Sequence, residues 1–137
     1  VSWDGTVMLN ELLVAGLGLN DRAVQVGISK TKRIVEERLR RFRGDRSFPD
    51  VRGETVVLVD DGLASGFTML VAATSVKKLN PGRVAVAVKL VEPEVDLLVC
   101  LNVRGGPVFA VADAYQNWYD LTDEEVERFL KIARTGS

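Results

Sequence analysis

Two adjacent carboxylates, Asp60 and Asp61, close an apolar run and open a loop of glycine and hydroxyl residues. From Val56 to Thr68 the chain reads Val-Val-Leu-Val-Asp-Asp-Gly-Leu-Ala-Ser-Gly-Phe-Thr. Adjacent carboxylates accept hydrogen bonds from vicinal hydroxyls. They also hold magnesium through water and ligand oxygens, because this hard ion prefers oxygen and keeps part of its hydration shell. Gly62 and Gly66 let the backbone approach a ligand closely, and Ser65, Thr68 and the amides opening the next helix offer donors to an anion. The combination suits a phosphorylated sugar, with residues 62–68 around its terminal phosphate. No lysine follows Gly66, so the Gly-x-x-x-x-Gly-Lys-Ser/Thr pattern of nucleoside triphosphatases is absent, as is any Gly-x-Gly-x-x-Gly.

These residues need a strand to carry them. Four consecutive apolar β-formers, Val56 to Val59, suit a strand buried on both faces of a parallel sheet, and ligands of open α/β sheets sit beyond the carboxyl ends of such strands. Phe67 to Leu79 then has helical spacing, with Leu70, Ala73, Val76 and Leu79 on or near one face and Asn80-Pro81-Gly82 as its stop. Val84–Val91, Leu97–Leu101 and Val108–Ala112 read as further buried strands. Thr122-Asp123-Glu124-Glu125 is a capping box for a last helix whose Val126, Phe129, Leu130 and Ile132 are expected to face inward. Upstream, Trp3–Leu9 reads as a strand or hairpin arm around Asp4-Gly5. Asn10 caps a short helix to Leu17, and Asn20 or Asp21 caps a long basic helix to about Arg43. The alternation after residue 55 argues an α/β fold of three layers, a mostly parallel sheet flanked by helices, in one domain over 1–137.

With 137 residues, 47% of them hydrophobic and 27% charged, the chain is long enough for a real core. No run approaches the apolar length of a membrane span and no signal peptide is visible, which makes the cytoplasm the default location. The absence of histidine excludes His-based triads and His-ligated metals, and Cys100, the lone cysteine, has no internal disulfide partner. A net charge of −1 gives no global pull toward nucleic acid. Locally, Lys30, Lys32, Arg33, Arg38, Arg40, Arg41, Arg43 and Arg46 face only Glu36, Glu37 and Asp45. The plain account is the solvated side of a helix whose Ile34, Val35, Leu39 and Phe42 make apolar contacts. A basic loop around Arg41 to Arg46 also keeps an RNA-binding reading open.

The stretch 56–68 resembles the signature of the type I phosphoribosyltransferases: a hydrophobic strand, two acids and a short loop of small and hydroxyl residues that binds phosphoribosyl pyrophosphate (PRPP). The resemblance implies that Asp60 and Asp61 engage the ribose hydroxyls and carry the catalytic role. It implies that Gly62, Leu63, Ala64, Ser65, Gly66, Phe67 and Thr68 wrap the 5-phosphate, and that magnesium is held largely through ligand and water. Purine-salvage members carry a carboxylate where this chain has Ala64, so no general base is expected from the loop. Family members also close a mobile basic loop over the pyrophosphate, and Arg41, Arg43 and Arg46 stand at a comparable chain position. Lys89 matches a lysine that meets the exocyclic oxygen of a purine, although a lysine where a strand reaches solvent accounts for it equally. Phe109–Leu121 resembles a base-stacking segment, which makes Tyr115 and Trp118 candidates for the base and Asp113 for a metal contact; core packing is the commoner role of such aromatics.

The implied reaction transfers the phosphoribosyl group from PRPP to a nitrogenous base with release of pyrophosphate, and dimers are common in the family. The resemblance is good from about Gly44 to Val126. The first 43 residues show no buried strand followed by a pyrophosphate-binding turn, and the chain begins at Val1 without methionine. Both facts fit a chain trimmed at its N-terminus, or a divergent member that senses PRPP or a nucleotide without turnover. A receiver domain also ends a strand in adjacent acids, but there the pair lies near the domain start and a phosphoacceptor Asp ends a later strand. Here the strand from Val84 ends at Lys89.

Overall fold

The computed structural model describes residues 1–60, 66–86, 97–98 and 116–135, with 97–98 as backbone only. Asn10 caps α1 (Glu11–Gly16) by accepting from Leu13 N at 2.9 Å, and Asn20 caps α2 (Asp21–Arg43) by accepting from Ala23 N at 2.9 Å. These side chains satisfy helix-end amides that have no intrahelical partner. Among the described residues three strands follow, β1 (Thr55–Leu58), β2 (Arg83–Val86) and β3 (Leu97–Leu98), with α3 (Phe67–Lys77) between β1 and β2 and α4 (Asp123–Thr135) last; the expected strand Val108–Ala112 lies outside them. The sheet is parallel in the order β1-β2-β3, with Thr55 opposite Arg83, Leu58 opposite Val86, and Ala85 opposite Leu97.

Val84, Ala85 and Val86 are all buried, so β2 is covered on both faces, as a central parallel strand requires. The core joins Val84 and Val86 to Met69, Ala73 and Val76 of α3, with Trp3, Val56, Leu58 and Leu70 packed against it. β1 departs from the expectation of a strand buried on both faces. Val57 is 59% exposed and Val59 76% exposed: alternate residues face opposite sides of a strand, and among the described residues the core of α3 takes Val56 and Leu58 on one side only.

The amino ends of β1 and β2 are joined through backbone. Gly53 N donates to Asn80 O at 3.1 Å, Gly82 N donates to Glu54 O at 2.9 Å, and Arg52 bridges Pro81. A Cβ on Gly82 would stand 2.3 Å from Gly53 O, so only glycine fits there.

No strand forms at residues 3–9. Asp4 instead turns the chain on itself: its carboxylate accepts from Thr6 N at 3.0 Å and Thr6 Oγ1 at 2.8 Å, while Ser2 N donates to Thr6 O at 2.8 Å. A short acidic side chain that bonds its own backbone competes with a β ladder. The turn is fastened to α3, since Ser75 Oγ and Lys78 Nζ each donate to Asp4 at 2.8 Å. Burial pushes the Asp4 carboxyl up, but the Lys78 ammonium and the bonds from Thr6 and Ser75 outweigh it and hold the group well below the usual carboxylate range. The capping box of α4 is present, with Thr122 N donating to Glu125 Oε2 at 2.9 Å and Glu125 N to Thr122 Oγ1 at 3.2 Å. Its expected inward face is narrower than the sequence pattern: Val126 and Leu130 are half-buried, whereas Phe129 and Ile132 are exposed. Ile34 of α2 is likewise exposed.

Candidate active site

β1 points its carboxyl end at Val59 and the half-buried Asp60, and the chain re-enters at Gly66, the N-cap of α3. Gly66 is buried with φ 75° and ψ −14°, a left-handed conformation that a side chain would strain. It caps α3 without a side-chain hydrogen bond, and the first turn contains no acid. The first-turn amides therefore have no intrahelical partner, at the end where the helix dipole favours an anion. Phe67 is half-buried and Thr68 exposed at this end. Asp60 thus lies just past the end of a parallel strand, where α/β sheets receive ligands. Asp61, Gly62, Leu63, Ala64 and Ser65 lie outside the described residues, as do Lys89, Asp113 and Tyr115.

Of the remaining candidates, Trp118 is exposed, in an irregular segment leading to α4. The three loop arginines serve different contacts. Arg41 reaches α4, pairing with Asp123 at 2.8 Å and with Glu124 and Glu127. Hydrogen bonds to Glu127 and then Glu124 hold its guanidinium charged beyond its ordinary range. Arg43 lies 3.9 Å from the centroid of the Phe48 ring and donates to Ser47 O, and Arg46 donates to Arg43 O and Phe42 O. Among the described residues, neither Arg43 nor Arg46 pairs with a carboxylate. No group of three or more metal-binding side chains is found among them either. Sequence reading missed Asp4 and Arg134, whose partners lie across the fold and leave no local signal.

A sequence model of the phosphoribosyl transferase domain family matches residues 13–110. Two Mycobacterium tuberculosis proteins, from strains CDC 1551 / Oshkosh and H37Rv, provisionally named phosphoribosyl transferases, are each 30% identical over 95% of this chain. The chain spans only 31% of the length of either. The crystal structure of TT1426 from Thermus thermophilus superposes with a TM-score of 0.62 at 26% identity, covering 93% of this chain and 63% of that one. The α/β fold is that of the type I phosphoribosyltransferases. This chain belongs to the phosphoribosyl transferase domain family, and the match starts upstream of the point where the motif resemblance is good. Among the described residues no helix is long and apolar enough to cross a membrane.

Proposed function

We propose that this chain binds PRPP with magnesium and transfers the phosphoribosyl group to a nitrogenous base, releasing pyrophosphate. The observation that supports this most is the left-handed, buried Gly66 cap of α3, which has no side-chain cap bond and opens the helix that follows β1 and Asp60 in the chain, offering its first-turn amides to a phosphate. In this reading Asp60 and Asp61 accept the ribose hydroxyls, and residues 62–68 hold the 5-phosphate. The bond from the anomeric carbon to pyrophosphate breaks and a bond to the base nitrogen forms. Positioning and charge complementarity supply the rate, without a protein nucleophile. Two hard carboxylates suit magnesium completed by ligand oxygens and water, and the ion would neutralise the departing pyrophosphate. Trp118 is a candidate base contact.

Calorimetric titration with PRPP and magnesium tests the binding step. Saturable binding is expected, weakened at least about tenfold in Asp60→Asn/Asp61→Asn as the charge-assisted bonds to ribose are lost. Absence of binding by the parent chain overturns the proposal. Pyrophosphate release across a panel of bases then decides the activity, and binding without turnover on any base would assign a sensing role instead.

A further inference from the structure

The C-terminal end of α2 gathers cations that, among the described residues, no carboxylate pairs with. Arg46 and Arg134 both donate to Phe42 O, each at 2.9 Å, from positions far apart in the sequence. Arg43 stands beside them, over the ring of Phe48. The described ion pairs of this region are taken by Arg41 and, at 3.8 Å, by Arg38, both on the side where α4 begins. Satisfying the last carbonyls of a helix with arginine is favourable in itself. It does not exhaust these side chains, because each guanidinium carries more donors than the bonds described consume. The capping contacts therefore fix forks that keep further N–H groups for a ligand.

The forks border a groove of about 590 Å³. Its floor is apolar, made by Leu39, Phe42 and Leu130, and its wall is the Phe48 ring stacked on Trp3 with centroids 5.4 Å apart. This volume is that of a small-molecule site. An apolar body with one flat side would cover the floor and wall, and an attached anion would meet the arginines. None of the residues lining the groove belongs to β1 or α3, and Asp60 is not among them.

We infer that the α2–α4 groove is a second binding site, taking a small aromatic monoanion or dianion such as an aryl phosphate, separate from the sugar-phosphate loop at residues 60–68. Arginine matches phosphate with a bidentate fork, and several forks converging on one group add specificity that scattered surface cations lack.

The test titrates the whole chain with 1-naphthyl phosphate, followed by its fluorescence, and with inorganic phosphate as the arm lacking the apolar body. One saturable site is expected for the naphthyl compound, with inorganic phosphate at least about tenfold weaker because it leaves the aromatic wall uncovered. Arg46→Gln/Arg134→Gln should weaken the naphthyl compound at least about tenfold through the lost forks. Asp60→Asn/Asp61→Asn should not, and PRPP with magnesium should not displace it. If the double arginine variant fails to fold, Arg43→Lys keeps the charge but loses the planar fork, and a weakening of about threefold or more is expected. No saturation below about 1 mM, equal affinity in the folded arginine variants, or displacement by PRPP together with sensitivity to the Asp60 variant would each overturn the inference. The last result would return these arginines to the sugar-phosphate site.

Discussion

The β1-α3-β2 unit and the α2–α4 pair sit in the same chain but are held by different forces. The first is built on burial: Val84, Val86 and Ala73 are at most 1% exposed, and backbone meets backbone at Gly53 and Gly82. The second contains no fully buried residue in either helix, and its strongest contact is one arginine among three carboxylates. Apolar burial is not screened by salt and carries no titrating group, whereas exposed ion pairs weaken with both salt and acid. The unit that presents Asp60 and Gly66 should therefore outlast the helical pair under stress.

The sharpest way to break this contrast is Gly82→Ala. A methyl group 2.3 Å from Gly53 O must push the strands apart, and a loss of about 3 kcal/mol in urea unfolding is expected. A change within experimental error would show that the crossing is not tight. Val86→Ala comes next, at about 2 kcal/mol, since Val86 is 0% exposed and its methyl groups leave a cavity between α3 and the sheet. Both substitutions should lower the stability of the whole cooperative unit.

Arg41→Ala should act more locally, accelerating hydrogen exchange in α4 while leaving β2 amides protected. Arg41 also holds the Glu124 carboxyl below its ordinary value in the fold. That contribution is complete at neutral pH, above the unfolded-state value, and fades as pH falls from the ordinary carboxylate range through the lowered folded one. Protection of α4 should hold at neutral pH, drop as the pH falls through and below the ordinary carboxylate range in the parent chain, and change less in Arg41→Ala. Equal pH dependence in the two would detach Glu124 from the docking of α4. The smallest expected effect is at Ser2, whose buried hydroxyl has no hydrogen-bond partner among the described residues. Ser2→Ala should be neutral or stabilising by less than about 1 kcal/mol in thermal unfolding.

What could be read from the sequence was what neighbouring residues decide between themselves. Asn10, Asn20 and Thr122 announce helix starts because each bonds an amide within the next turn. The strand and acid succession from Val56 to Asp60 is likewise contiguous, so the place of Asp60 just past the carboxyl end of β1 was visible in advance. Coverage was not visible. Val57 has the same side chain whether or not its face of the strand is covered, and Phe129 and Ile132 complete a helical stripe wider than the contact α2 makes. The Asp4 turn defeated the alternation of Trp3–Leu9 because its carboxylate found Ser75 and Lys78 on a distant helix. The gathering of Arg43, Arg46 and Arg134 was hidden for the same reason.

The contact of Gly53 with Gly82 has a bearing on how such a fold changes its ligands. Register between β1 and β2 is pinned at their entrances by two peptide units with no side chain between them, and a slip of one residue would turn Val56 and Leu58 away from α3. The described ladder ends at Leu58 and Val86, so under the proposed function a change at Asp60 would alter the ligand and leave the register in place.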